Sequence, residues 1–447
     1  MENSQKPTGM FAFIIIWLGQ LVSVLASSMT HFALTIWMYQ QTESVTALGL
    51  MQVFFITPFL LISPFAGVMV DRYNRKLMMM LSDLTAIVAT AGIFILYSLG
   101  MLEFWHLYIA AVLNGIGNTF QWPAYSAAIS TMIPKEQLGR ANGLMSLMEA
   151  GPGVVAPLLA GVLLPFIGLT GILLIDVITF FFAVGALLVV HVPQPRKTEE
   201  GQQQAGNIWS EAAYGFTYIF SRPSLLGLQL VFFFGNLFSG IGGTAMAPMI
   251  LARTANDSLV FGTAQSAGAI GAVVGGILMS IWGGFKRRVH GVLLGWIFSS
   301  LGGMVLLGVG RDLSLWIPGM VLLSIFIPLV NGSNQAIWQA KVAPDLQGRV
   351  FSARRLIAWF SNPIAPLIAG ALSDWVFEPA MRADTALASL FGPLVGTGPG
   401  AGMGLLVVVC GLAAALVGAA GYFIPAIRNA EDILPDHDTL KDAEPAV

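Results

Sequence analysis

Residues 67–76, Gly-Val-Met-Val-Asp-Arg-Tyr-Asn-Arg-Lys, put Asp71, Arg72, Arg75 and Lys76 together in a 447-residue chain that is 56% hydrophobic and only 10% charged. Soluble domains carry charge on about a quarter of their residues, and a mean hydropathy of +0.78 belongs to a chain built from membrane spans. The apolar runs on either side, 45–70 and 77–99, each exceed the about 20 residues that a helix needs to cross the hydrocarbon core. The charged stretch is therefore a turn at the membrane surface. The same criterion predicts twelve spans, at 11–39, 45–70, 77–99, 105–132, 140–164, 170–191, 223–250, 259–283, 289–310, 314–340, 350–375 and 403–426. The expected fold class is an all-α membrane protein, with the lipid bilayer as its surroundings.

A net charge of −2 points away from nucleic acid as a partner, and Cys410, the single cysteine, has no second thiol in the chain to pair with. There is no Gly-x-x-x-x-Gly-Lys-[Ser/Thr] loop for an ATP-driven pump and no His-Glu-x-x-His, and the five His are scattered. Neither an enzyme, a cofactor nor a metal site is expected. The first run is longer than a signal-peptide core and lacks a small-residue cleavage site, so it is expected to be retained.

Charge also orients the chain. All but three of the 21 Lys and Arg fall in the termini and loops on one side or at the adjoining helix ends; the exceptions are Arg253, Arg311 and Arg382. By the positive-inside rule both termini are cytoplasmic in a multi-pass protein of the inner or plasma membrane.

The charged turn has an echo. Gly-Ile-Leu-Met-Ser-Ile-Trp-Gly-Gly-Phe-Lys-Arg-Arg from Gly276 stands 209 positions after Gly67. Gly348-Arg349 repeats Gly139-Arg140 and Ala-Pro-Leu-Ile-Ala-Gly (365–370) repeats Ala-Pro-Leu-Leu-Ala-Gly (156–161) at the same offset, which indicates duplication. The expected organisation is an N-terminal six-helix half (1–191), a cytoplasmic linker with an interfacial helix (192–222), a C-terminal six-helix half (223–426) and a cytoplasmic tail (427–447). Trp209, Phe216, Tyr218 and Phe220 among polar residues suggest that helix.

Residues 67–76 resemble the helix 2–3 signature of the major facilitator superfamily, Gly-x-x-x-Asp-Arg-x-x-Arg-Lys, with Asn74 where Gly is usual. Residues 139–161 are similar to that family's exporter signature, with Ala156 in place of a Gly and with Pro157 and Gly161 retained; the branch resembled is that of macrolide-efflux and enterobactin-exporter-like proteins. The resemblance implies two pseudo-symmetric six-helix halves, with helices 1, 4, 7 and 10 around a central pathway. It also implies a cytoplasmic gate at Asp71, Arg72, Arg75, Lys76, Arg140 and Arg349, in which Asp71 meets the positive N-terminal end of helix 11, near Arg354 and Arg355.

Polar residues at helical spacing are the candidate cavity. Asn114, Asn118 and Gln121 lie on one face of helix 4 with Trp122 beside them, and helix 10 repeats the theme with Asn331, Gln335 and Trp338. Helix 1 contributes Gln20 and helix 7 Asn236. Amides facing lipid are costly, so these faces meet protein or water: they either line a pathway or join helices. Asp83 is expected in the gate region.

Glu149, His31 and Asp176 are ionisable residues inside spans, and each is either a proton-coupling group or a structural hydrogen-bond partner. Trp37, Trp105, Trp316 and Trp375 are expected at the membrane interface, and residues 377–402 as an irregular outer loop. The predicted function is secondary active export of an amphipathic small molecule, such as a drug, siderophore or peptide-like product. Transport is expected by alternating access and proton antiport, in a monomer of the multidrug-efflux kind, with a cavity poor in fixed charge. The alternatives are an uptake or lipid-translocating carrier, and a non-transporting receptor or assembly protein on the same scaffold.

Overall fold

In a bilayer every backbone N–H and C=O must be paired within the protein, so a chain this apolar spans as helices or as a closed barrel. The computed structural model of the chain describes residues 9–72, 74–132, 138–190, 208–342, 344–382 and 385–434, and these contain helices and no strand. In chain order they are α1 (Gly9–Thr42), α2 (Val45–Arg72), α3 (Arg75–Ser98), α4 (Phe104–Met132), α5 (Leu138–Val189), α6 (Ile208–Phe220), α7 (Pro223–Arg253) and α8 (Ser258–Trp282). Then follow α9 (Arg288–Val309), α10 (Leu313–Lys341), α11 (Pro344–Trp359), α12 (Ser361–Leu372), α13 (Ala386–Val395) and α14 (Ala401–Phe423). Among the described residues, ten helical stretches are long and apolar enough to cross a membrane.

The predicted spans 140–164 and 170–191 are the two helical arms of α5, which kink at Gly168, where the backbone is non-helical with φ 63° and ψ −178°. A side chain disfavours that conformation, and glycine tolerates it. Within α9, Ser299–Val305 is wound as a π-helix. In the segment 377–402, expected as an irregular outer loop, the described residues include the helix α13, capped by the Thr385 hydroxyl accepting from the Ala388 N–H, and Glu378 accepts from the N–H groups of Gly400 and Met403 at the start of α14.

Two compact units divide the chain. The first comprises Met1–Lys197 with Thr254–Ser266, and the second Thr198–Arg253 with Ala267–Val447. In the first, α1 packs along α5 while α2 and α3 pack on α4. Phe13, Ile16, Trp17, Met79 and Leu187 form its core. Residues 258–266 of α8 belong to this unit because they lie against α5: Ser258 Oγ donates to Gly161 O at 3.0 Å and Ser266 Oγ to Val154 O at 2.7 Å. Gly262 faces the Pro157 carbonyl so closely that a Cβ there would overlap it. Small residues allow such approach where lipid removes any hydrophobic drive between helices.

In the second unit α7 packs on α14 and α12, and α9 on α10. Gly271 and Gly275 of α8 meet the α10 backbone at Val321 and Ile325. The helix α6 packs on α11 and buries Tyr218 and Ile219, while Tyr214 and Phe220 stay exposed. Trp316 is a correction to the interface reading: it is fully buried, and its indole donates to Gly310 O at 3.1 Å. Trp375, by contrast, is 73% exposed.

Candidate functional site

Among the described residues, polar side chains gather at defined places inside the apolar helices of both units. In the first unit three helices converge on Asp83 of α3. Its Oδ2 accepts from Gln20 Nε2 of α1 and its Oδ1 from Gln121 Nε2 of α4, both at 2.9 Å, and Gln121 Nε2 also reaches Gln20 Oε1 at 3.2 Å. Gln20 and Asp83 are buried and Gln121 half-buried. Asp83 is thus held by neutral amides in the interior of the unit; the gate side chains near which it was expected lie outside the described residues.

A second buried carboxylate, Asp176 of α5, accepts from Ser27 Oγ of α1 at 2.8 Å and from Thr90 Oγ1 of α3 at 3.2 Å. Among the described residues neither Asp83 nor Asp176 has a basic partner.

In the second unit, α7, α10 and α11 enclose a cavity of about 430 Å³. Gln229, Phe232 and Asn236 enter it from α7, and Asn331, Asn334 and Gln335 from α10. The α11 wall supplies Phe351, Arg354, Arg355 and Trp359. Gln229 Nε2 donates to Arg354 O at 3.1 Å, and Arg354 Nη1 donates to Gln335 Oε1 at 2.9 Å. The Arg355 guanidinium lies 4.3 Å from the centre of the Trp359 ring. Gln229 stands 209 positions after Gln20, the offset of the sequence repeat. At one repeat position, then, an amide serves an acid in the first unit and the backbone of a base in the second.

Of the predicted cavity residues, Asn236, Asn331 and Gln335 line this cavity, while Gln20 and Gln121 join the Asp83 network. Asn114 is half-buried and Asn118 exposed on α4. Trp338 differs from its expected place: it is fully buried, donates to Asn334 Oδ1 at 3.0 Å and lies behind Arg354. The expectation of a cavity poor in fixed charge is also corrected, since two guanidinium groups line it.

His31 is exposed on α1. Lys76 of the charged turn donates to Val190 O at 2.8 Å and to Leu188 O at 3.3 Å, at the carbonyl end of α5. Pro157 and Gly161 are buried in the contact of α5 with α8. The side chains of Asp71, Arg72, Arg75, Trp122, Arg140, Glu149 and Arg349 lie outside the described residues.

Asp83, Arg354, Arg355 and Trp359 are the residues that pattern reading assigned elsewhere or passed over. The available signal was an ionisable group within or beside an apolar span with no opposite charge within a helical turn, which marks Asp83 and the Arg354-Arg355 pair alike.

A sequence profile of the Major Facilitator Superfamily matches residues 16–366. The chain is 25% identical over 374 residues to macrolide efflux protein A of Streptococcus pyogenes, covering 81% of this chain and 89% of that protein. It is 22% identical over 323 residues to the enterobactin exporter EntS of Salmonella typhi, covering 70% of this chain and 73% of that one. Among solved structures, a bacterial homologue of the human lysosomal transporter Spinster superposes with a TM-score of 0.70 at 17% identity, over 98% of both chains.

Proposed function

The chain belongs to the Major Facilitator Superfamily, and within that family we propose that it exports an amphipathic small molecule across the plasma membrane by alternating access, in exchange for protons. It is a multi-pass membrane transporter, and its relatives include efflux proteins. The observation that carries the export reading is the similarity to macrolide efflux protein A over 81% of the chain. It is supported by a cavity in the second unit that combines amides with Phe232, Phe351 and Trp359, the chemistry that binds a largely apolar solute through a few directed hydrogen bonds.

Proton exchange is assigned to Glu149, with His31 and Asp176 as the other candidates. The support for Glu149 is its position near the middle of a span with no Lys or Arg in its helical turn. A carboxyl in such a place binds its proton when closed from water and releases it when opened to water, so proton and substrate favour opposite facings.

Inside-out vesicles carrying the protein, energised by an inward-acidic gradient, test the direction. Accumulation of macrolides or other amphipathic compounds above empty-vesicle controls is expected. Accumulation confined to right-side-out vesicles would instead make the protein an uptake carrier.

A further inference from the structure

Arg354 and Arg355 stand out because, among the described residues, little of their charge is answered. A guanidinium carries five N–H donors in a planar fork, so the pair presents ten. Among the described residues one is used, by the neutral Gln335 Oε1 at 2.9 Å, and no carboxylate pairs with either side chain. Arg354 is nonetheless held in place. Its guanidinium carbon lies 5.2 Å from the Trp338 ring centre and 5.6 Å from that of Phe351, and Gln229 fastens its backbone carbonyl. Arg355 is stacked at 4.3 Å on Trp359 in the same wall. Fixing two rotamer-rich cations on aromatic faces, with most of their donors unspent among the described residues, beside a cavity of about 430 Å³ is preorganisation for an incoming acceptor.

We propose that the second-unit cavity is an anion-recognition site: Arg354 and Arg355 bind a carboxylate-, sulfonate- or phosphate-type group of an amphipathic ligand, and Phe232 and Trp359 hold its apolar body. This deepens the transport reading by naming the substrate class as amphipathic anions. A planar anion accepts from a guanidinium fork through two parallel hydrogen bonds, stronger than those to a neutral group. Asn236 and Asn331 supply further hydrogen bonds to the polar end. The same anionic chemistry reaches a membrane protein from two sources, a dissolved solute or a lipid headgroup.

The test is equilibrium binding of two matched probes, dansyl-leucine and dansyl-leucinamide, to the full chain in phosphatidylcholine nanodiscs, read by energy transfer from tryptophan. The two differ in one negative charge. The carboxylate is expected to bind about tenfold more tightly than the amide, the worth of a hydrogen bond to a charged group. Arg354→Gln and Arg355→Gln should each reduce that preference, and Arg354→Lys should keep most of it. Arg355 is exposed, so its variant reports even where Arg354→Gln folds poorly.

Repeating the assay with phosphatidylglycerol in the nanodisc separates the sources. Displacement of the probe assigns the site to a lipid headgroup and persistence assigns it to a solute, and both uphold anion recognition. Equal binding of the two probes by the wild type, or a preference untouched in both Gln variants, overturns it. Selective binding without movement in vesicles fails the transport reading and keeps this one; export of neutral compounds without charge preference does the reverse.

Discussion

Asp83 has no basic partner among the described residues, and its two amide donors explain why it is tolerated. Gln20 and Gln121 each donate to it at 2.9 Å, so the three side chains satisfy one another across α1, α3 and α4. Asp83→Leu removes both acceptors and leaves buried amide N–H groups without them, at a cost of about 1–3 kcal/mol. Asp83→Asn retains one acceptor oxygen and should cost less. Thermal unfolding of the purified variants is expected to rank wild type, Asn, then Leu; a Leu variant as stable as wild type would show that the network does not hold the helices. Glu149 is argued on other grounds, since its place in the span and not a contact recommends it. Glu149→Gln imitates the permanently protonated state, so in proteoliposomes substrate exchange should persist while transport driven by a pH gradient is lost. Gradient dependence equal to wild type would move coupling to His31, Asp176 or another ion.

Among elements, the contact of α5 with the start of α8 offers a direct test of packing. Pro157 and Gly161 belong to the exporter-like segment, and both lie where Ser258 and Gly262 approach the α5 backbone. The carbonyl of Pro157 cannot move aside as a side chain would, so Gly262→Ala should destabilise by about 1–3 kcal/mol, the usual range for overpacking. Gly276, at the far end of α8, has open space around it, and Gly276→Ala should be neutral or slightly stabilising through helix propensity. Melting temperatures of the two variants in one detergent make the comparison. Equal effects would mean that the approach at Gly262 is slack.

At the level of the whole molecule, the asymmetry of basic residues predicts orientation. Arg253, Arg311 and Arg382 are the only basic residues assigned to the outer side. Arg253 donates to the carbonyls of Gly308, Gly310 and Val395 and so spends its donors on backbone. A fluorescent protein fused after Val447 should therefore light up, and alkaline phosphatase fused at the same point should be inactive. The opposite pair of results would invert the topology.

Membrane spans, the helical fold of the described residues and the family were legible in the chain because each depends on residue chemistry summed over a window or on a short signature. Hydropathy over about 20 residues needs no knowledge of neighbours, and Gly67-Val-Met-Val-Asp-Arg keeps its signature wherever the helices go. Partner choice is different. Gln20 and Asp83 are 63 positions apart and Gln229 and Arg354 125 apart, and whether an amide lines a cavity or clasps an acid depends on which helix faces meet. In lipid those faces are almost equally apolar, so the periodic polarity that marks a soluble helix is weak and packing of small residues selects the contact. That is why Trp316 and Trp338 read as interface and cavity aromatics yet are buried against carbonyl and amide oxygens, and why the guanidinium groups of Arg354 and Arg355 emerged as cavity wall once α7, α10 and α11 were folded together.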